Sequence, residues 1–126
     1  MSEAPPPAGS PAPAPAAPAT ITIDQFKTVD LRAAKVVEVK EHPDADRLWV
    51  LTVDVGELGV RTVVAGLRKD VAREELMGRT IIVVANLAPA RLRGVESQGM
   101  LLALRGAERA FPLGCAIDVA PGTRVT

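Results

Sequence analysis

An all-β domain, built as a five-stranded barrel with one short helix between its third and fourth strands and a C-terminal extension, is the fold this sequence predicts. Three observations predict it. Short Val-rich stretches alternate apolar and polar side chains with the two-residue period of a half-buried strand. Gly, Pro and Asp clusters separate these stretches at close intervals. After the third of these stretches the period changes, residues 70–77 taking a helical one. The 126 residues suffice for one domain, too few for a catalytic domain plus a cofactor domain. The single cysteine, Cys115, forms neither an intramolecular disulfide nor a cysteine-pair zinc site, so apolar burial has to hold the fold.

The elements follow in chain order. Residues 1–18 hold seven prolines and six alanines, too little branched apolar surface to repay ordering, and read as a disordered tail or linker ahead of a folded domain spanning 19–126. Thr22 caps a short helix, because Gln25 lies three positions on and can return the bond, and Phe26 anchors that turn. Leu31 to Lys40 reads as the first strand. His42-Pro43-Asp44-Ala45-Asp46 is a loop, since Pro43 biases His42 away from helix. In the second strand, Leu48 to Val55, the residues Trp49, Leu51, Val53 and Val55 share one face and predict the core side. Gly56 to Gly59 connects to a third strand, Arg61 to Ala65. Asp70 to Met77 is the helix, with Gly78 as its stop. The fourth strand is Thr80 to Leu87, Ala88 to Val95 an irregular basic loop, and the fifth strand Gly99 to Leu104. Beyond it, Phe111, Leu113, Ile117, Val119 and Val125 are apolar groups outside a barrel already closed, which predicts a homodimer. Five strands with this helix placement are the order of an oligonucleotide/oligosaccharide-binding (OB) barrel.

Composition then narrows the function. No strictly apolar run is longer than Ile81 to Ala85, which is too short to span a bilayer, and the N-terminal stretch lacks the basic and apolar regions of a secretory signal, so a cytoplasmic protein without a membrane partner is expected. Formal net charge is zero, yet residues 20–60 carry five Lys/Arg against eight Asp/Glu and residues 61–105 carry eight against four. A neutral total therefore conceals a basic stretch that includes Arg68, Lys69, Arg91 and Arg93. No catalytic residue is assigned. Ser97 lacks the glycine two positions earlier that a nucleophile elbow uses, and the lone histidine, His42, sits beside a proline in a turn. His42 with Asp44 and Asp46 is too sparse for zinc and too short for a calcium loop, and no phosphate-binding glycine loop occurs, so neither metal nor cofactor is expected. With Phe26, Trp49 and Phe111 as the whole aromatic complement, base stacking on a row of rings is excluded, leaving a reader of RNA shape and phosphates.

Five blocks in order resemble the tRNA-binding domain family: His42-Pro43-Asp44-Ala45-Asp46-Arg47-Leu48, Thr62 to Lys69, Glu75-Leu76-Met77-Gly78, Val83 to Pro89, and Arg91 to Ala103. The last, Arg-Leu-Arg-Gly-Val-Glu-Ser-Gln-Gly-Met-Leu-Leu-Ala, is the most specific, and the resemblance covers about residues 21–126. It implies an OB barrel, dimerised through C-terminal elements, that holds tRNA by its shape and assists methionyl-tRNA synthetase in cis or in trans without aminoacylating. Carried over by position, the RNA contacts fall on Arg47, Asn86, Arg91, Arg93, Ser97, Gln98 and Met100. The resemblance gives the arginines phosphate neutralisation, Asn86, Ser97 and Gln98 hydrogen bonds, and Met100 an adaptable apolar contact. Ala90-Arg91 stands where relatives commonly have two basic residues, which implies weaker affinity. The alternative within the same fold is the dimeric export-type chaperone branch, which binds unfolded polypeptide.

Overall fold

The computed structural model describes residues 19–126; the Ala/Pro-rich tail, residues 1–18, lies outside them. Thr22 opens α1 (Ile23–Phe26) with both halves of the expected capping box: its hydroxyl accepts from the Gln25 amide at 3.1 Å, and its own amide donates to Gln25 Oε1 at 2.8 Å. β1 (Leu31–Glu41) is the longest strand and the axis of the fold. Its first half pairs antiparallel with β4 (Thr80–Val84) and its second half with β2 (Trp49–Asp54), which pairs in turn with β3 (Val60–Ala65). A bulge between Val36 and Glu38 makes this double use possible, by bending β1 and turning Val37 out to solvent. β7 (Met100–Leu101) joins β4, giving the order β3-β2-β1-β4-β7.

The sheet then curls until its two outer strands meet. Gln98 donates its amide to Thr62 O on β3 at 2.7 Å and accepts the Thr62 amide on Oε1 at 2.9 Å, while Ser97 Oγ accepts the Val64 amide at 2.9 Å. Side chains thus supply part of the ladder that closes the barrel, satisfying amides that an open edge would leave bare. Inside lie Val36, Val39, Leu51, Val53, Val63, Ile81 and Leu76, all essentially inaccessible, and each such side chain contributes about 1.5–3 kcal/mol of apolar burial. Trp49, Leu51, Val53 and Val55 are buried on the parity the sequence predicts, and the Trp49 indole donates to Val71 O at 2.9 Å. Leu76 comes from α2 (Arg73–Leu76), which lies between β3 and β4 as expected and plugs the barrel from one end.

Four expectations are corrected in detail. The helix begins only at Arg73, because Ala72 is extended and its amide is taken by Glu75 Oε1 at 2.9 Å; residues 68–71 form a separate turn on Leu67 O. The fourth strand ends at Val84 rather than Leu87: the Ala85 amide still reaches Asp30 O, but the Asp30 amide goes to Asn86 Oδ1 and the ladder stops. The stretch Ala88 to Val95 is not irregular: β5 (Ala90–Leu92) and β6 (Val95–Ser97) form a hairpin. The fifth strand breaks at Leu102, so that β7 stays in the barrel while β8 (Ala103–Arg105) leaves to pair with β9 (Ala110–Pro112).

The C-terminal segment is also less free than its sequence suggests. Phe111 is half-buried between the Arg79 and Arg109 guanidinium groups, 4.8 and 4.9 Å from its ring centre, and Arg109 is fixed in turn on the Glu75 carboxylate. Leu113 extends the β4 edge through the Ile82 amide, and residues 122–125 bond along the start of β1. Where they cross the β2–β3 turn, a Cβ on Gly56 would stand 2.2 Å from Pro121 O, and one on Gly122 would stand 2.8 Å from Val55 O, so both positions require glycine. Of the apolar groups expected to seek a surface, Ile117 and Val125 remain exposed, together with Leu104, Ile23 and Phe26; Leu113 and Val119 are partly covered.

Candidate nucleic-acid interface

The basic hairpin owes its shape to a two-residue turn. Leu92 opposes Val95, and between them Arg93 and Gly94 have φ of 54° and 92°, the left-handed pair that a type I′ hairpin demands. Glycine accepts this freely; arginine does so at a cost of roughly 1–2 kcal/mol. Arg93 is held there by donating to Asp44 O at 3.1 Å, and Arg91 curls back to donate to Gly94 O at 3.1 Å.

His42 locks the preceding loop to this hairpin. It is 3% exposed, with Nδ1 accepting the Asp44 amide at 3.0 Å and Nε2 therefore carrying the proton it donates to Leu92 O at 3.0 Å. The sequence shows a turn residue here; the bond that matters reaches 50 positions along the chain. Neither His42 nor Ser97 meets the other's polar atoms: Ser97 Oγ donates to Gly99 O at 2.9 Å besides accepting from Val64.

The structure brings Arg47 and Arg93 to one open cleft of about 480 Å³, lined also by Asp44, Ala45, Asp46 and Leu48. Arg91 lies on the same hairpin. None of the three guanidinium groups has a carboxylate within 4.0 Å among the described residues. Arg68, by contrast, stacks 5.3 Å over the Trp49 ring and pairs with Glu41 at 3.2 Å, while its amide donates to Arg47 O, so it buttresses the Arg47 loop.

Asn86 and Met100 belong to the other end of the barrel. Met100 opposes Val84 and is exposed, and Asn86, two residues on, accepts the Asp30 amide at 2.9 Å and donates to Thr28 O at 2.6 Å. Asp30 itself accepts from Arg32 Nε at 2.7 Å, with Arg124 3.8 Å away; the Arg32 hydrogen bond holds its carboxyl below the ordinary value. Ser97 and Gln98 lie between the two groups, on the closing seam. The chain thus runs from the arginine hairpin through Ser97 and Gln98 on the seam to Met100, which pairs with the strand that leads to Asn86. Exposed Arg47, Arg91, Arg93, Gln98, Asn86 and Met100 can touch a ligand, whereas buried Ser97 acts by shaping the strand beneath it. No helix among the described residues is long and apolar enough to cross a membrane, and no group of three metal-ligating side chains occurs among them.

Comparison with known proteins fits this geometry. Residues 31–124 match a family described as "Putative tRNA binding domain". A methionine–tRNA ligase of Thermococcus kodakarensis is 49% identical over 105 residues, which is 83% of this chain and 14% of that enzyme, so the chain spans about a seventh of the length of this curated relative. Among solved structures, a MetRS related protein from Pyrococcus horikoshii aligns with a TM-score of 0.79 at 30% identity, over 85% of this chain and 98% of that one. The chaperone CsaA of Bacillus anthracis aligns with a TM-score of 0.76 at 29% identity, over 86% of this chain and all of its own.

Proposed function

This chain belongs to the tRNA-binding domain family, and from that premise we propose that it is a non-catalytic module that grips tRNA by shape and phosphate contacts. One observation carries the proposal: Arg47 and Arg93 line one cleft, Arg91 lies on the same hairpin as Arg93, and among the described residues no carboxylate comes within 4.0 Å of the three guanidinium groups. Three guanidinium groups without a carboxylate partner among the described residues, on a hairpin and its adjoining loop, suit phosphate oxygens, which they meet with planar, forked donors. Gln98, Asn86 and Met100 continue the footprint along the seam, a length better matched to a folded RNA surface than to a single nucleotide. The likeness to methionine–tRNA ligase supports a role assisting that synthetase, in cis or in trans, in the cytoplasm. The exposed Ile23, Phe26, Ile117 and Val125 support a homodimer, which light scattering of the full chain at micromolar concentration reads directly.

The test is the salt dependence of tRNA binding. Counterion release lowers log affinity by about 0.7–0.9 per neutralised phosphate for each decade of salt. Replacing Arg91 and Arg93 together by alanine should flatten the slope by roughly 1–2 units and weaken structured RNAs alike. A wild type that binds tRNA no better than an unstructured RNA of equal length would refute shape reading. The likeness to a chaperone favours unfolded polypeptide as the second ligand. On that reading the arginine changes leave suppression of client aggregation intact, and tRNA does not compete with clients.

A further inference from the structure

Phosphate binding leaves the cleft beside Arg47 and Arg93 half explained. Two of its six lining residues are Asp44 and Asp46, which repel phosphate. Neither carboxylate has a cation within 4.0 Å among the described residues or takes part in a side-chain hydrogen bond, so neither serves to neutralise the arginines or to shape the loop. The loop is shaped instead through the Asp44 backbone, whose amide goes to His42 and whose carbonyl goes to Arg93. Both carboxylates stay exposed and without a partner among the described residues. Ala45 and half-buried Leu48 give the cleft an apolar surface.

Resting on the RNA-binding reading, we propose that this cleft is a base-reading subsite that accepts one unpaired guanine of the bound RNA. The ring lies on Leu48 and Ala45, the imino and amino donors of its Watson–Crick edge go to an Asp44 or Asp46 carboxylate, and Arg47 and Arg93 take the flanking phosphates. The chemistry selects the base. Only acceptors line the cleft on its acidic side, and guanine presents two adjacent N–H donors there, matching both oxygens of one carboxylate. Adenine offers an acceptor at the ring nitrogen where guanine has a donor, and uracil sets acceptors on both sides of its single imino donor. The volume of about 480 Å³ admits a purine with room for its sugar and phosphate. The carboxylates thus convert a rim that would bind any phosphate backbone into one that favours a particular unpaired base.

The test uses the full chain and three RNA hairpins alike except for one unpaired loop residue: guanine, inosine, which lacks the amino group, or adenine. Affinities are measured at about 0.15 M salt, with tRNA in parallel. The wild type should prefer guanine over inosine and over adenine by at least about fivefold, the lower end for one good bidentate pair. In Asp44→Asn/Asp46→Asn the preference should vanish, with affinity for the adenine hairpin rising because two repelling charges are gone and the guanine hairpin losing its advantage because the carboxylate that accepts its two donors is gone. A wild type that binds tRNA but does not distinguish the hairpins overturns the base-reading subsite and leaves the RNA-binding reading standing. A wild type that binds neither tRNA nor hairpins overturns both. Retained guanine preference in the double variant assigns the reading elsewhere and overturns this site. The comparison among hairpins on the wild type needs no variant, so it decides the matter even if the substitutions perturb folding.

Discussion

Ser97 shows how a residue singled out for ligand contact can do its work one layer below the surface. Its hydroxyl accepts from the Val64 amide and donates to Gly99 O while only 4% exposed, so alanine leaves two groups without partners. An unsatisfied buried group costs about 1–3 kcal/mol. Ser97→Ala should accordingly lower the thermal midpoint by several degrees, at about 4–8 °C per kcal/mol for a domain of this size. Because no charge is removed, RNA affinity should fall with its salt slope unchanged; an unaltered midpoint in a thermal melt would contradict the seam's role. The polar character of Ser97, Gln98 and Asn86 was legible in the sequence. Their partners were not, since a strand amide 33 positions away, or a carbonyl 58 away, is chosen by how the barrel closes and leaves no local pattern. Trp49 was legible for the opposite reason: its burial follows from the parity of its own strand.

The β5–β6 hairpin marks the limit of legibility at the scale of elements. Long strands with one buried face announced themselves, and α1 was readable down to the two bonds of its capping box. The hairpin's strands have three residues each and β5 is wholly exposed, so no alternation existed to read. Its turn was obscured as well, because arginine occupies a left-handed position usually given to Asn, Asp or Gly. That choice trades stability for charge. Arg93→Asn, which tolerates the same φ, should leave the thermal midpoint equal or slightly raised while RNA affinity drops and the salt slope flattens by about one unit. A fall in both would mean that the Arg93 bond to Asp44 O holds the loop more strongly than the backbone resists it.

For the whole molecule, zero net charge masks an uneven distribution, and two acids outside the cleft, Asp30 and Glu75, are tied into the fold by arginine. The Arg32 bond draws the Asp30 pKa down, and the Ala72 amide followed by Arg109 does the same for Glu75. A carboxyl whose folded value lies below its unfolded one adds stability above the unfolded value, near pH 4, and loses it as pH falls through the folded value. The thermal midpoint should thus hold level from pH 7 to about 5 and decline below 4, with a smaller decline in Asp30→Asn. An equal decline in that variant would remove Asp30 from the account. The OB architecture at this scale was readable from element order, but the course of the C-terminal segment was not: it depends on Gly56 and Gly122 allowing two backbones to touch. That crossing brings Val125 to donate its amide to Leu31 O, and Ile23, Phe26, Val125 and Thr126 line one cleft of about 330 Å³. Within the described residues the folded domain is therefore nearly closed on itself, with a break at that cleft. The break lies at the opposite end of β1 from the arginine hairpin, at most about 35 Å away along an 11-residue strand. A molecule of this form has a handle and a grip: whatever pulls at the first helix or at residues 125–126 pulls at the same point, and β1 is the strand that leads from that point to the His42 loop beneath the arginine hairpin.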